Sequence, residues 1–181
     1  MKQTELLATE LKEKEIEILQ DRVNKNSELI NTLCNKLVND YCKSLNDYVK
    51  FIQTILQDTK NPPTAQELDD FVLNLPVLLY FCGEAQENLG IKTDVAKSIK
   101  QEKYNEIYKE VSGTIADKTA KSELAAQAET ITHIIYDRAY KIVKEKMTAA
   151  YELLSSCKKV ISRRLAEYQM TGVADERFNN K

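Results

Sequence analysis

The sequence predicts an all-α protein in which a long N-terminal helix of coiled-coil type is followed by a helical bundle or hairpin. The 181 residues include only 4 Gly and 3 Pro, whereas β-rich domains need turn signals about every 8–12 residues. Apolar residues recur at helical spacing over long stretches, and 30% of the residues are charged against 43% that are hydrophobic. Amphipathic helices produce both patterns, so we expect helices over most of the chain.

The first predicted helix runs from Thr4 to about Asp58, a stretch without Gly or Pro. About 55 helical residues would extend roughly 80 Å, which is far more than one small domain covers. Apolar residues recur in seven-residue steps along this helix, and that spacing favours coiled-coil packing. We therefore predict that the helix oligomerises through one apolar seam, which consists of Ile16, Leu19, Val23, Ile30, Leu33 and Leu37.

A proline pair separates this helix from the rest of the chain. Pro62 and Pro63 remove backbone donors and bias the preceding residues away from helix. Thr64 with Glu67 three residues later matches a capping box, so a new helix should begin there. Pro76 is expected to interrupt or kink that helix.

The middle of the chain is predicted to contain two shorter helices. The apolar run 76–89 indicates a short, largely buried helix that ends near Gly90. Thr93 or Asp94 can cap the next helix, which should run to about Val111.

A last long helix is predicted to fold back on the one before it. Ser112, Gly113 and Thr114 make the break, residues 116–119 form a short transition, and the helix proceeds from about 120 to 168, giving a helical hairpin. The predicted domains are an oligomerisation helix (1–60), a helical hairpin or bundle (61–170) and a flexible tail (171–181).

Charge is divided unevenly along the chain. Residues 1–90 hold 9 Lys and Arg against 15 Asp and Glu, whereas residues 91–164 hold 15 against 10. An acidic half beside a basic half permits head-to-tail self-association, or an anionic partner on the basic half.

Residues suited to catalysis or metal binding are scarce. Cys34, Cys42, Cys82 and Cys157 are scattered, and His133 is the only histidine, so a zinc site and a Cys/His dyad are both disfavoured. Phosphate-binding glycine motifs are absent. We predict no enzymatic activity, no cofactor and no metal. The charged N-terminus and the lack of an apolar run of about 20 residues predict a cytoplasmic protein without a membrane partner.

Basic residues interleaved with tyrosines are the remaining candidate for binding. Positive charge attracts phosphates and aromatic rings can stack on unpaired bases. The alternative is that the lysines solvate the outside of a hairpin while the tyrosines pack at its seam. The candidate nucleic-acid-binding residues are Lys92, Lys97, Lys100, Lys103, Arg138, Lys141, Lys144, Lys158, Lys159, Arg163 and Arg164.

Three short features follow one another within residues 77–170. They are Tyr104 and Tyr108, the link GTIADKTA from Gly113, and a long helix with Tyr140-Lys141 that closes on SSCKKVISRR. In these features the segment resembles small phage recombination mediators of the UvsY type. The resemblance implies an oligomeric, ring-forming helical protein that binds single-stranded DNA and holds it for a RecA-like recombinase. It carries this role to the basic residues in 92–103 and 158–164, and a phage origin would place the protein in the host cytoplasm.

Two functions are therefore expected. The first is a recombination mediator that oligomerises, binds single-stranded DNA and loads a recombinase. The alternative is a helical structural, scaffolding or adaptor protein of a phage or other assembly, without a nucleic-acid role. A homo-oligomer is compatible with both.

Overall fold

A computed structural model describes the backbone of residues 2–179 and the side chains of residues 16–170. Its helices are α1 (Lys2–Gln57), α2 (Ala65–Glu110), α3 (Ile115–Ala125) and α4 (Gln127–Asn179). The protein is 92% helical, and the described residues contain no strand. The predicted all-α class is thereby confirmed.

The end of α1 lies within one residue of the predicted stop at Asp58. The Asp58 carboxylate accepts hydrogen bonds from the backbone amides of Lys60 and Asn61, at 3.0 and 3.2 Å, and from the Asn61 side chain at 3.0 Å. These bonds, that from the Asn61 side chain above all, lower the pKa of Asp58. They also give the backbone an alternative to another helical turn.

The predicted capping box at the start of α2 is present. Glu67 Oε2 accepts a hydrogen bond from the Thr64 backbone amide at 2.7 Å, and Thr64 Oγ1 accepts one from the Glu67 amide at 3.2 Å. The bonds from Thr64 lower the pKa of Glu67. The exchange satisfies amide donors that the first helical turn would otherwise leave unpaired.

Helix α2 continues without interruption through Pro76 and Gly90 to Glu110. The predicted pair of shorter helices, one ending near Gly90 and one capped by Thr93 or Asp94, was therefore wrong. Both segments belong to one 46-residue helix.

Tertiary packing explains why α2 remains continuous through its proline and its glycine. Pro costs about 3 kcal/mol in a helix interior, but Leu75 and Leu79, on either side of Pro76, are fully buried. Each such burial contributes about 1.5–3 kcal/mol. At Gly90, a Cβ would lie 3.5 Å from the ring of Tyr140, so this part of α2 packs closely against α4.

The break before α3 lies where it was predicted. Gly113 has a φ of +135°, a conformation that favours glycine. Thr114 then caps α3 in a box with Asp117, and the helix begins at Ile115. The predicted transition over 116–119 and helix start near 120 were wrong, because a capping box with Asp at its fourth position was overlooked.

Helices α3 and α4 are separated by Ala126. The hydrogen-bond ladder continues across it, since Ala126 N donates to Ser122 O and Thr130 N donates to Ala126 O, both at 3.0 Å. Helix α4 runs to Asn179, beyond the predicted end at Tyr168. The side chains of the predicted flexible tail, 171–181, lie outside the described residues.

The chain forms two compact units. Unit 1 comprises Met1–Leu37 and Thr93–Ala139, and unit 2 comprises Val38–Lys92 and Tyr140–Lys181. Each unit combines segments that are distant in sequence, whereas the predicted division into 1–60, 61–170 and 171–181 follows the chain. That division stays a prediction.

The two units have different cores. Among the described residues of unit 1, the buried side chains are small and include Cys34, Ala96, Ser122 and Ala126. In unit 2, large side chains from α1, α2 and α4 are buried together, including Leu45, Ile52, Leu68, Phe71, Leu75, Leu79, Leu89, Val143 and Leu154. Because hydrophobic stabilisation scales with the apolar area removed from water, unit 2 has the larger hydrophobic contribution.

Among the described residues, no helix is long and apolar enough to cross a membrane.

Candidate functional site

The predicted oligomerisation seam of α1 is largely uncovered by the part of the chain that the structure describes. Ile16, Leu19 and Val23 are 54%, 58% and 64% exposed. Leu33 is also exposed, whereas Ile30 and Leu37 are half-buried. The seam is thus open to solvent at its N-terminal end, although its coiled-coil packing stays a prediction.

A second apolar face of α1 was not predicted as a separate feature. Ile18 and Leu29 are exposed as well, and eleven residues correspond to about three helical turns, so the two side chains share a face. At 100° per residue, Ile18 lies about 160° around the helix from Ile16, about 140° from Val23 and about 100° from Leu19. It can therefore be substituted without touching the seam.

The eleven candidate nucleic-acid-binding residues are divided between the units. Unit 1 contains Lys97, Lys100, Lys103 and Arg138. Unit 2 contains the other seven, which are Lys92, Lys141, Lys144, Lys158, Lys159, Arg163 and Arg164. Their joint role in nucleic-acid binding stays a prediction.

Several groups in unit 1 already interact within the protein. Lys103 Nζ donates to Glu106 Oε2 at 2.9 Å, and this bond raises the pKa of Lys103. The rings of Tyr104 and Tyr108 stack at 5.9 Å, with Lys118 Nζ 5.7 Å from the centre of the Tyr108 ring. These tyrosines are half-buried, which fits the alternative interpretation that the tyrosines are packing residues.

In unit 2, Lys92 and Tyr140 also have structural contacts. Lys92 Nζ donates to the Tyr41 hydroxyl at 2.7 Å and lies 5.4 Å from the centre of that ring. The Tyr140 hydroxyl accepts a hydrogen bond from Gln86 Nε2 at 3.3 Å. Both interactions connect separate helices within unit 2.

The basic cluster near the end of α4 is heterogeneous. Arg164 is half-buried, and its Nη1 donates to the backbone oxygen of Pro63 at 2.7 Å, so it holds the loop between α1 and α2. Arg163 pairs with Glu167 at 3.5 Å. Lys158 and Lys159 are exposed and form no ion pair among the described residues. These two lysines are the part of the cluster best placed to bind an anion.

The cysteines are organised as buried core residues. Cys34, Cys42, Cys82 and Cys157 are free and buried, and burial is the largest cause that raises the pKa of each thiol. The thiolate is the reactive form of cysteine, so these environments suppress nucleophilic chemistry. The described residues also contain no group of three or more side chains suited to holding a metal ion.

An exposed apolar surface on α2 was missed by the sequence analysis. The run 76–89 was predicted to be largely buried, yet Val77, Tyr80 and Phe81 are exposed, as is Leu73 before them. We call these four residues the α2 ridge. No Lys or Arg occurs between Ala65 and Ile91, and that absence was the available signal that this helix differs from an ordinary solvated one.

A groove between α1 and α4 in unit 2 was also not predicted. It has a volume of about 560 Å³ and is lined mainly by apolar side chains. We call it the α1/α4 groove, and its lining residues include Leu45, Val49, Lys50, Lys146, Ala149 and Leu153.

Comparisons of the chain with protein-family models, curated proteins and solved structures find no match.

Proposed function

We propose that this chain is a structural assembly protein whose copies associate through the apolar seam of α1. The observation that supports the proposal is the exposure of Ile16, Leu19 and Val23, which are each more than half exposed. Contiguous exposed apolar patches mark interaction sites in soluble proteins. The seven-residue step from Ile16 to Val23 and Ile30 favours a partner helix with the same repeat, which a second copy supplies.

Seam variants test this function directly. We expect Leu19→Lys with Val23→Lys to lower the native mass, measured by sedimentation velocity, because two charges cannot be buried at a helix–helix seam without a large desolvation cost. Both positions are exposed, so the helical content measured by circular dichroism should stay unchanged.

Ile18→Lys provides the matched control, since Ile18 is 68% exposed on the other face of α1. It should retain the native mass of the wild type. An unchanged native mass for the double seam variant would show that the α1 seam does not contribute to assembly.

Single-stranded nucleic-acid binding is a second candidate function, and a specific arrangement on α4 favours it. Lys144, Tyr151 and Lys158 are exposed and follow one another at seven-residue steps, so they share one helix face. A cation, an aromatic ring and a cation on one face match the needs of phosphate and base contacts. In a mediator of the UvsY type, this face would hold the strand for a recombinase.

We expect Lys158→Ala with Lys159→Ala to weaken binding of a labelled oligo-dT strand, measured by fluorescence anisotropy. If each lysine contacts one phosphate, the slope of log K against log salt should become less steep by about 1.4. Tyr151→Ala should remove about 1–3 kcal/mol of stacking.

The control is Lys43→Ala with Lys60→Ala, which removes two exposed lysines from another part of unit 2. Equal losses of oligo-dT affinity in the two double variants would indicate nonspecific electrostatic attraction. No binding by the wild type at low salt would eliminate the candidate.

A further inference from the structure

We propose that the α2 ridge of one copy docks into the α1/α4 groove of a second copy. This contact deepens the proposed assembly function but uses different helix faces, so it can succeed or fail independently of the α1 seam. Both surfaces lie within unit 2.

The ridge is the first half of the contact. Leu73, Val77, Tyr80 and Phe81 are 70%, 54%, 74% and 60% exposed, and their spacing of three to four residues places them on one helix face. The opposite face of α2 carries core residues, among them Leu75. A helix that is apolar on both sides has one face available for a partner.

Charge restricts what that partner can be. The first 27 residues of α2, 65–91, contain no Lys or Arg, but they contain Glu67, Asp69, Asp70, Glu84 and Glu87. Asp70 and Glu84 are exposed at either end of the ridge. The ridge is thus an apolar surface within an acidic segment, and its complement is an apolar surface with positive charge.

The groove has those properties. Leu45 and Val49 of α1 and Ala149 and Leu153 of α4 supply apolar walls. Among the side chains that the structure describes, the charged ones that line the groove are Lys50 and Lys146, and none of them is a carboxylate.

The surroundings of Lys146 indicate that the groove favours a negatively charged partner. It is half-buried, and its Nζ donates to the neutral side-chain oxygen of Asn46 at 2.8 Å. It forms no ion pair among the described residues. A carboxylate beside the ridge, from Asp70 or Glu84, would supply the ionic partner that this ammonium lacks.

The groove is long enough to hold the ridge. The ridge spans nine residues of α2, from Leu73 to Phe81, or about 12 Å of helix. The α1 wall of the groove spans Leu45 to Gln57, or about 18 Å. Docking would add α2 of the second copy beside α1 and α4, and side-by-side helices pack by such interdigitation.

The occupant must be another copy rather than the same chain. The ridge lies on the side of α2 away from its own core, so it cannot enter the groove of its own unit. A ridge-to-groove contact is heterologous, because the two copies use different surfaces. In a dimer, the copy that contributes its ridge keeps a free groove and the other copy keeps a free ridge, so each can bind a further copy. Association should therefore continue beyond a dimer.

The test uses the full chain carrying Leu19→Lys and Val23→Lys, so that association through the α1 seam does not contribute. In that background we expect a native mass that rises with protein concentration and falls with added salt. A monomer at every concentration would overturn the ridge-to-groove contact, whatever the outcome for α1.

Two substitutions then block one surface each. Val77→Lys places a cation on the ridge opposite the basic groove, and Ala149→Glu places a carboxylate in the groove opposite the acidic ridge. Both positions are exposed, so each variant should keep the helical content of its parent and become monomeric. Tyr80→Lys, at another exposed position, repeats the ridge test if Val77→Lys does not fold.

Mixing provides the strongest evidence for the pairing. Val77→Lys retains an intact groove and Ala149→Glu an intact ridge, so the mixture should form complexes that neither variant forms alone. Leu124→Lys, at an exposed apolar position in unit 1, is the matched control and should associate like the background protein. Persistent association of Ala149→Glu alone, or no complex in the mixture, would overturn the proposal.

Discussion

Replacing Phe71 with Ala should lower the free energy of unfolding by about 3–5 kcal/mol. The side chain is 1% exposed, and its ring meets the rings of Tyr48 and Phe51 edge-on, with centroids 6.4 and 6.3 Å apart. The substitution removes this contact between α1 and α2 and leaves a cavity in the core of unit 2. Urea denaturation followed by far-ultraviolet circular dichroism measures the loss.

Phe81 offers a matched control on the same helix. It is 60% exposed, so Phe81→Ala should change the free energy of unfolding by no more than about 0.5 kcal/mol. Both variants should be measured at low protein concentration, because association stabilises the folded state. Equal losses for the two variants would show that the core of unit 2 is wrongly assigned.

The contrast between these two phenylalanines shows where sequence reasoning reaches its limit. Both belong to the run FVLNLPVLLYFC from Phe71 to Cys82. In a helix with a single apolar stripe, the periodicity identifies the buried face. Here apolar residues occupy opposite faces, so periodicity alone could not decide which face is the core. The run 76–89, which contains three of the four ridge residues, was predicted to be largely buried.

Local signals explain what the sequence did predict. The end of α1 was predicted from the proline pair at 62 and 63, which disfavours helix in the residues before it. The start of α2 depends on hydrogen bonds between Thr64 and Glu67, and their three-residue spacing can be recognised in the sequence. The passage of α2 through Pro76 depends instead on burial of neighbouring side chains in unit 2, and helix propensity does not contain that information.

The basic residues also differ in what could be predicted from local sequence and what required the tertiary structure. Their occurrence in the second half of the chain is visible in the sequence, but Arg164 donates to Pro63, which is 101 residues away. A partner at that separation could not be identified without the fold. The exposed lysines, Lys158 and Lys159, and the structural arginine were therefore assigned to one candidate site.

Alkaline pH should destabilise the protein because its buried thiols must remain protonated. Burial raises the pKa of Cys42 to about 12, and the neighbouring Cys82, whose Sγ lies 3.8 Å away, adds to the shift. Burial also raises the pKa values of Cys82, Cys34 and Cys157. From about pH 9 upward, unfolded thiols ionise while folded ones keep their protons.

The direction of the effect follows from proton linkage. Since the folded state then binds more protons than the unfolded state, the free energy of unfolding falls as the pH rises, by up to about 1.4 kcal/mol per pH unit for each such thiol. The stability that each protonated thiol contributes is fully present below the pKa of the thiol in the unfolded state. It is lost as the pH rises through the pKa of that thiol in the folded state. We expect a decline between pH 9 and 11 in urea-unfolding experiments.

Cys42→Ala separates this linkage from ordinary loss of packing. Removing the sulfur lowers core stability at every pH, so the free energy of unfolding of the variant should be lower at pH 7. The proton-linked decline requires a thiol, so the dependence of this free energy on pH should be flatter above pH 9. Tyr48→Phe is the companion variant, because burial also raises the pKa of Tyr48 and its hydroxyl adds a decline only above about pH 10. Parallel wild-type and Cys42→Ala curves would mean that Cys42 ionises equally readily in both states, which is incompatible with its burial between α1 and α2.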